Sequence, residues 1–282
     1  MKAWEGLGYY SRARNLKKAA VIIVKERNGV FPTTPEMWKE LPGIGEYTAG
    51  AVAAIAYDYP SVAVDGNFLR VWTRLYAIPA PIDSPATKKR ISEEAGALLK
   101  DIPEPGAFAN AMMELGAMVC MPGKADCSKC PLSKYCSAHA EEAWERYPAR
   151  SPKKARRLEK RNVFLVTDGT GVVVASRTES LLSGLYGFPN AEGDASPEAM
   201  CETLASMGIR AAYQETLGEA EHIFTHITWK MVIHAFRLLE PVSEPFKMAD
   251  ARNLAELPMP AAFRRARGLA VQILQGAKEH QG

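Results

Sequence analysis

Apolar positions in the first half of the chain recur at helical spacing. Between residues 12 and 27, Leu16, Ala19, Ala20, Ile23 and Val24 fall on one stripe, and Asn28-Gly29 closes the segment. Thr34-Pro35 reads as an N-cap and first-turn pair for a short helix ending near Glu40. Leu41-Pro42-Gly43-Ile44-Gly45 is a tight turn, followed by an alanine-rich helix over 46–57. Ser84-Pro85 and Glu104-Pro105 open further helices, the second running through Met112 and Met113 toward Cys120. From Asn162 the period shortens. Residues 163–166 and 172–175 read as short strands around Asp168-Gly169, a hairpin signal. Ser196-Pro197 starts a helix ending near Gly208, and strand alternation returns over 222–236. The pattern predicts an α+β chain, mainly helical first and a small α/β domain second.

A length of 282 residues is enough for two cores, and 47% hydrophobic with 24% charged residues is a globular composition. No apolar run reaches the length of a membrane span. A net charge of +3 permits nucleic-acid binding without arguing for it. Local charge says more: Arg150, Lys153, Lys154, Arg156, Arg157, Lys160 and Arg161 cluster against one acid, Glu159. With Pro148 and Pro152 they predict a basic linker over 148–161, between domains at 1–147 and 162–282. It serves either as a solvated tether or as one that touches phosphates.

Four of the five cysteines are spaced as Cys120-x6-Cys127-x2-Cys130-x5-Cys136. Gaps this short let four thiolates enclose one metal centre in the loop 120–136, either zinc or a cubane iron–sulfur cluster. Spacing alone does not choose between them. Cys201, on a predicted helix, reads as an inert thiol.

In the turn at 41–45, two glycines permit a tight bend and leave amide donors at the start of the next helix, a setting that suits a phosphate. Asp65, in Val64-Asp65-Gly66-Asn67, precedes another helix. In isolation it reads first as an N-cap, and otherwise as a carboxylate aimed into a cleft beside the turn.

Together WEGLGYYSRARNL, LPGIGEYTAGAV, VDGN and the cysteine spacing resemble the helix-hairpin-helix base-excision DNA glycosylases. The resemblance covers essentially the whole chain. It implies a [4Fe-4S] cluster at Cys120, Cys127, Cys130 and Cys136, with Lys124 near DNA phosphates. It places the catalytic carboxylate at Asp65, where a fixed anion stabilises the positive charge on the sugar as an N-glycosidic bond breaks. Asn67 orients groups around that sugar. Tyr47 stands where lyase relatives carry a nucleophilic lysine, and a phenol cannot form a Schiff base, so a monofunctional hydrolase is implied. Tyr9 matches an aromatic that wedges into the duplex, while Tyr10 reads as core. Gly43 and Gly45 supply the phosphate-gripping turn.

The second half resembles a MutT-like (Nudix-fold) domain, including Gly184-Leu185-Tyr186-Gly187-Phe188-Pro189. Its helix lacks the paired-glutamate signature of a hydrolase, since Glu198 and Glu202 stand alone, so pyrophosphohydrolase activity is not expected. Phe224, Thr225 and His226 resemble a loop that reads 8-oxoguanine opposite adenine. A zinc site built from His222, His226 and His234 is a weak pattern without a thiol.

The implied reaction is hydrolysis of adenine from A:8-oxoguanine and A:G mispairs in double-stranded DNA. A monomer in a bacterial-type cytoplasm, at the nucleoid and without membrane attachment, is expected. The family's proton-donating glutamate lies ahead of the WEGLGYY segment, so an N-terminally incomplete chain of poor stability and weakened activity is the expectation. Two other readings are a non-catalytic DNA-binding remnant and an endonuclease III-like glycosylase/lyase.

Overall fold

The computed structural model describes residues 2–152, 155–177, 182 and 184–279. Lys153 and Lys154 of the expected linker lie outside the described residues. The chain divides into two compact units, one of residues 15–153 and one of residues 1–14 with 154–282.

In the helical unit, α1 (Ser11–Glu26, whose first residues belong to the other unit) leads to α2 (Pro35–Lys39) and α3 (Glu46–Tyr57). Next come α4 (Gly66–Leu75), α5 (Pro85–Leu99), α6 (Pro105–Glu114) and a short α7 (Ser137–Ala140). The sequence signals place these starts. Thr34 Oγ1 accepts the Met37 amide at 3.4 Å, and Pro85 and Pro105 occupy first-turn positions where a missing N–H costs nothing. Ser84 precedes α5 without a side-chain capping bond. The stripe on α1 is buried only in part. Ala19 and Ile23 pack with Trp38, Leu41, Ala49 and Ala53, whereas Leu16 and Val24 are each 66% exposed and Ala20 is also exposed.

A second core forms where α4 inserts. Phe68, Leu69, Val71 and Trp72 pack with Ile78, Ile82, Ile91, Ala95 and Met112. Every residue from Phe68 to Arg74 is buried, so this helix is enclosed on all sides and takes two arginines into the interior.

The other unit is built on a seven-stranded sheet in the order β3-β2-β1-β6-β5, with β4 on β1 and β7 on β2. Its strands are β1 (Arg157–Thr167), β2 (Val172–Ser176), β3 (Tyr186–Gly187), β4 (Asn190–Glu192), β5 (Ala211–Ile223), β6 (Ile227–Leu238) and β7 (Phe246–Ala249). Helix α8 (Pro197–Ser206) follows β4, and α9 (Ala251–Glu256) and α10 (Arg264–Glu279) follow β7. Alternation along β1 feeds two cores, as the period of a strand requires. Val163 and Leu165 join Trp229, Ile233, Leu254, Phe263 and Ala270, while Phe164 and Val166 join Met200, Leu204 and Phe236. The β1–β2 turn is closed by Asp168 Oδ1, which accepts the Thr170 and Gly171 amides at 2.8 and 2.9 Å.

Three sequence readings change here. Residues 157–161, assigned to the linker, are the start of β1, paired in parallel with β6 from Arg157 opposite Ile227. The alternation over 222–236 is not one strand, because it spans the end of β5, a turn at 224–226 and most of β6. Residues 1–14, expected in the helical domain, group with the sheet: Tyr10 is in its core and Glu5 bonds Arg267 at 2.6 Å.

Candidate active site

The segment carrying Asp65 is drawn tightly against α3. A Cβ added to Gly50 would lie 2.5 Å from the Val62 carbonyl oxygen, and Ser61 Oγ donates to the Gly50 carbonyl at 2.8 Å. The small residues of α3 therefore set the path of 61–65. Asp65 is the N-cap of α4, its Oδ1 accepting the Phe68 amide at 2.6 Å. The N-cap reading holds, and Asp65 also lines a cavity of about 950 Å³ together with Tyr47, Gly50, Gly66 and Leu69. Tyr47 is half-exposed, with its hydroxyl 3.8 Å from Met113 Sδ. Burial, reinforced by the charge of Asp65, pushes the Tyr47 phenol above its ordinary range and keeps it neutral.

The turn before α3 bends at Gly43, whose φ of +77° suits glycine and whose added Cβ would lie 2.5 Å from the Asn15 side chain. Gly45 is the N-cap of α3 and offers no side chain, so the first amides of that helix have no capping acceptor. Gly43 and Gly45 are both exposed.

Asn67 points elsewhere. Its Oδ1 accepts from Arg70 Nη2 at 2.8 Å, and the same guanidinium reaches the Gly116 carbonyl at 2.5 Å and the Cys120 carbonyl at 2.7 Å. One turn on, Arg74 Nη1 lies 3.1 Å from Cys120 Sγ, and its Nε bonds the Tyr147 carbonyl at 3.0 Å. Burial lowers the Arg70 pKa, with the Arg74 charge adding to the effect. These two arginines were missed in the sequence. The available signal was a pair of cations at i and i+4 inside an otherwise apolar helix, on the turn that follows Asn67.

Cys120, Cys127, Cys130 and Cys136 are all half-buried and line one small cavity with Arg74, His139 and Trp144. Burial pushes the Cys127 and Cys130 thiols up. Among the described residues, no three His, Cys, Asp or Glu side chains are grouped to hold a single metal ion. The four sulfurs share a chamber without converging on one point. These four thiols are the residues of the chamber that would ligate a metal centre, and the Arg74 cation would offset thiolate charge there. Lys124, in the same loop, is exposed.

In the sheet unit, Phe224, Thr225 and His226 form the turn joining β5 to β6. The Phe224 amide donates to the Ile227 carbonyl at 2.8 Å, and the Arg157 amide to the His226 carbonyl at 3.0 Å. Phe224 is half-buried, its ring 4.9 Å from that of Trp229, while Thr225 and His226 are exposed. Trp229 Nε1 in turn donates to the buried Glu159 at 2.8 Å. His234 is buried between Thr216 Oγ1 and Asn162 Oδ1, each at 3.0 Å, and His222 packs on Phe224, so the three histidines do not gather. Tyr9 is exposed, with Arg12 over its ring, and Glu198 and Glu202 are exposed on α8.

A helical unit, with Asp65 and Tyr47 on one cavity and four thiols in one loop, thus precedes a unit built on a mixed sheet, the architecture of a helix-hairpin-helix glycosylase domain joined to a Nudix-like one. Residues 1–98 match the HhH-GPD superfamily of base excision DNA repair proteins, and residues 162–267 match the NUDIX domain. Among curated proteins it is similar to adenine DNA glycosylases. It is 33% identical to the mouse protein over 83% of this chain and 55% of that one. Identity to the Arabidopsis thaliana protein is 35%, over 82% of this chain and 41% of that one. For the human protein it is 31%, over 83% and 53%. The chain thus spans about half the length of the curated relatives it matches. Among the described residues no helix is long and apolar enough to cross a membrane.

Proposed function

We propose that the chain acts in DNA repair as a monofunctional N-glycosylase, hydrolysing adenine mispaired with 8-oxoguanine. The observation that carries this reading is the shared cavity of Asp65 and Tyr47, about 950 Å³ and so roomy enough for an extruded nucleotide. Asp65 faces the sugar and stabilises the cationic transition state as the base departs. Asn67, held by Arg70, fixes the start of α4 beside it. Tyr47 stays a neutral phenol and forms no covalent bond to the sugar, so the strand is left uncut. The bare amides after Gly43 and Gly45, with Lys124, take backbone phosphates. Tyr9 enters the stack, and Phe224, Thr225 and His226 read the base opposite. Cys120, Cys127, Cys130 and Cys136 would hold a [4Fe-4S] cluster, which when bound braces the loop carrying Lys124.

Fluorescence anisotropy with a duplex bearing A opposite 8-oxoguanine, paired with single-turnover adenine release, tests the reading. Binding at least about tenfold tighter than to an undamaged duplex is expected, the size of one recognised base pair. Equal binding to both duplexes with no adenine released overturns it. A borohydride-trapped adduct would move the chain to the lyase class.

A further inference from the structure

Residues 149–151 fall in the expected basic linker, yet the structure fastens them to the helical unit. The Ala149 carbonyl accepts the Ile82 amide at 3.0 Å, and the Ser151 amide donates to Asp83 Oδ1 at 2.9 Å. Arg150, held between these two bonds, lines the cavity that contains Asp65 and Tyr47. Lys88, in the first turn of α5, lines the same cavity. Both side chains are exposed, and among the described residues neither makes a hydrogen bond or ion pair. Their neighbours are otherwise engaged: Lys89 faces Glu93 at 3.8 Å, and Glu46 is taken by Lys39 at 3.1 Å. Arg150 also lines a second cavity, of about 290 Å³, beside Arg70 and Arg74. Those two guanidiniums are buried and bond to carbonyls, an amide oxygen and a thiol. Among the described residues no carboxylate pairs with either. Carboxylates share the Asp65 cavity, among them Asp83 beside Arg150, but among the described residues neither Arg150 nor Lys88 is held in an ion pair, so both side chains are free to turn to an anion at the rim.

We propose that Arg150 and Lys88 form a phosphodiester subsite on the wall of the Asp65 cavity, gripping the backbone of the strand whose nucleotide is extruded. A nucleotide swung toward Asp65 carries its flanking phosphates to the rim of that cavity, where two unpaired cations meet them. The linker's first residues then belong to the DNA-binding face. This inference rests on the repair reading and deepens it.

The test is the salt dependence of duplex binding for Arg150→Gln, Lys88→Gln and the double variant. Lys100→Gln, exposed at the end of α5 and outside both cavities, serves as control. Each single variant is expected to lower the slope of log K against log salt by about 0.9, and the double variant by about twice that. Preference for the A:8-oxoguanine duplex is expected to persist, since phosphate contacts carry no base information. Wild-type slopes in both single variants overturn the subsite while leaving the repair reading intact. Loss of duplex preference in the wild type itself overturns the repair reading and the subsite with it.

Discussion

Asp65 accepts the Phe68 amide through Oδ1 at 2.6 Å while lining a cavity of about 950 Å³, so the carboxylate proposed for the reaction is also a helix cap. The two roles separate by substitution. Asn caps as well as Asp, so Asp65→Asn is expected to keep thermal stability while single-turnover adenine release falls by about 10²–10³. Asp65→Ala loses the same rate and about 1 kcal/mol of stability besides, read from urea unfolding.

Arg70 joins Asn67, Gly116 and Cys120 through one buried guanidinium. Replacing it with Met removes the charge but leaves the Gly116 carbonyl and Asn67 Oδ1 without a donor. At about 1–3 kcal/mol for each buried group left unpaired, a loss of roughly 2–6 kcal/mol is expected in urea unfolding. Arg70→Lys is expected to rescue little, because a single ammonium cannot reproduce the fork.

Thr225 is exposed at the tip of the β5–β6 turn, with its hydroxyl free to meet a base. Thr225→Val keeps the shape and deletes that donor and acceptor. Discrimination between 8-oxoguanine and guanine opposite adenine is expected to fall about three- to tenfold, the worth of one hydrogen bond, with thermal stability unchanged. Equal discrimination in the two proteins would remove Thr225 from the reading of the opposite base.

Glu159 is 3% exposed and bonded by Arg157, Arg161 and Trp229. Burial raises its pKa, but the hydrogen bonds from Arg161 and Trp229, with the Arg161 charge, outweigh burial and leave it below the usual glutamate range. The folded value lies below the unfolded one. Its stabilisation is therefore complete above the unfolded pKa of about 4.3 and fades as pH falls toward the folded value. Acid unfolding followed by tryptophan fluorescence is expected to show a shallower pH dependence below that range in Glu159→Gln, with lower stability at neutral pH.

The thiol chamber predicts its contents by stoichiometry. Anaerobically purified protein is expected to be brown and to carry about four irons per chain, and Cys130→Ala to lose both colour and iron. One zinc per chain and no visible absorption would assign the loop to a structural zinc instead.

Local signals in the sequence reach some of this architecture and stop short of the rest. Thr34, Pro35, Pro85 and Pro105 mark helix starts because capping and proline geometry act over a few residues. The stripe on α1 shows which residues share a face, but only packing decides which are covered: Ile23 is buried and Val24 is not. The basic run to Arg161 looked like a tether because charge hides strand pairing. In β1 the apolar stems of these residues flank a buried glutamate, and Arg161 stacks over Trp229 at 4.3 Å. That Asp65 and Tyr47 belong together was legible from their motifs, and they line one cavity. Arg70 and Arg74 were not legible, because their partners are mostly carbonyls distant along the chain, and a carbonyl leaves no trace in residue type.

Gly116 closes the account of the site from an unexpected direction. A methyl group there would stand 2.7 Å from Cβ of Asn67 and 3.1 Å from its backbone oxygen. Even alanine must therefore push α4 aside, and the shift would travel through Asn67 to the residue two places earlier that carries the carboxylate. Damage to catalysis can thus originate at a position bearing no functional group, and an inherited change as mild as Gly to Ala would belong among the harmful ones.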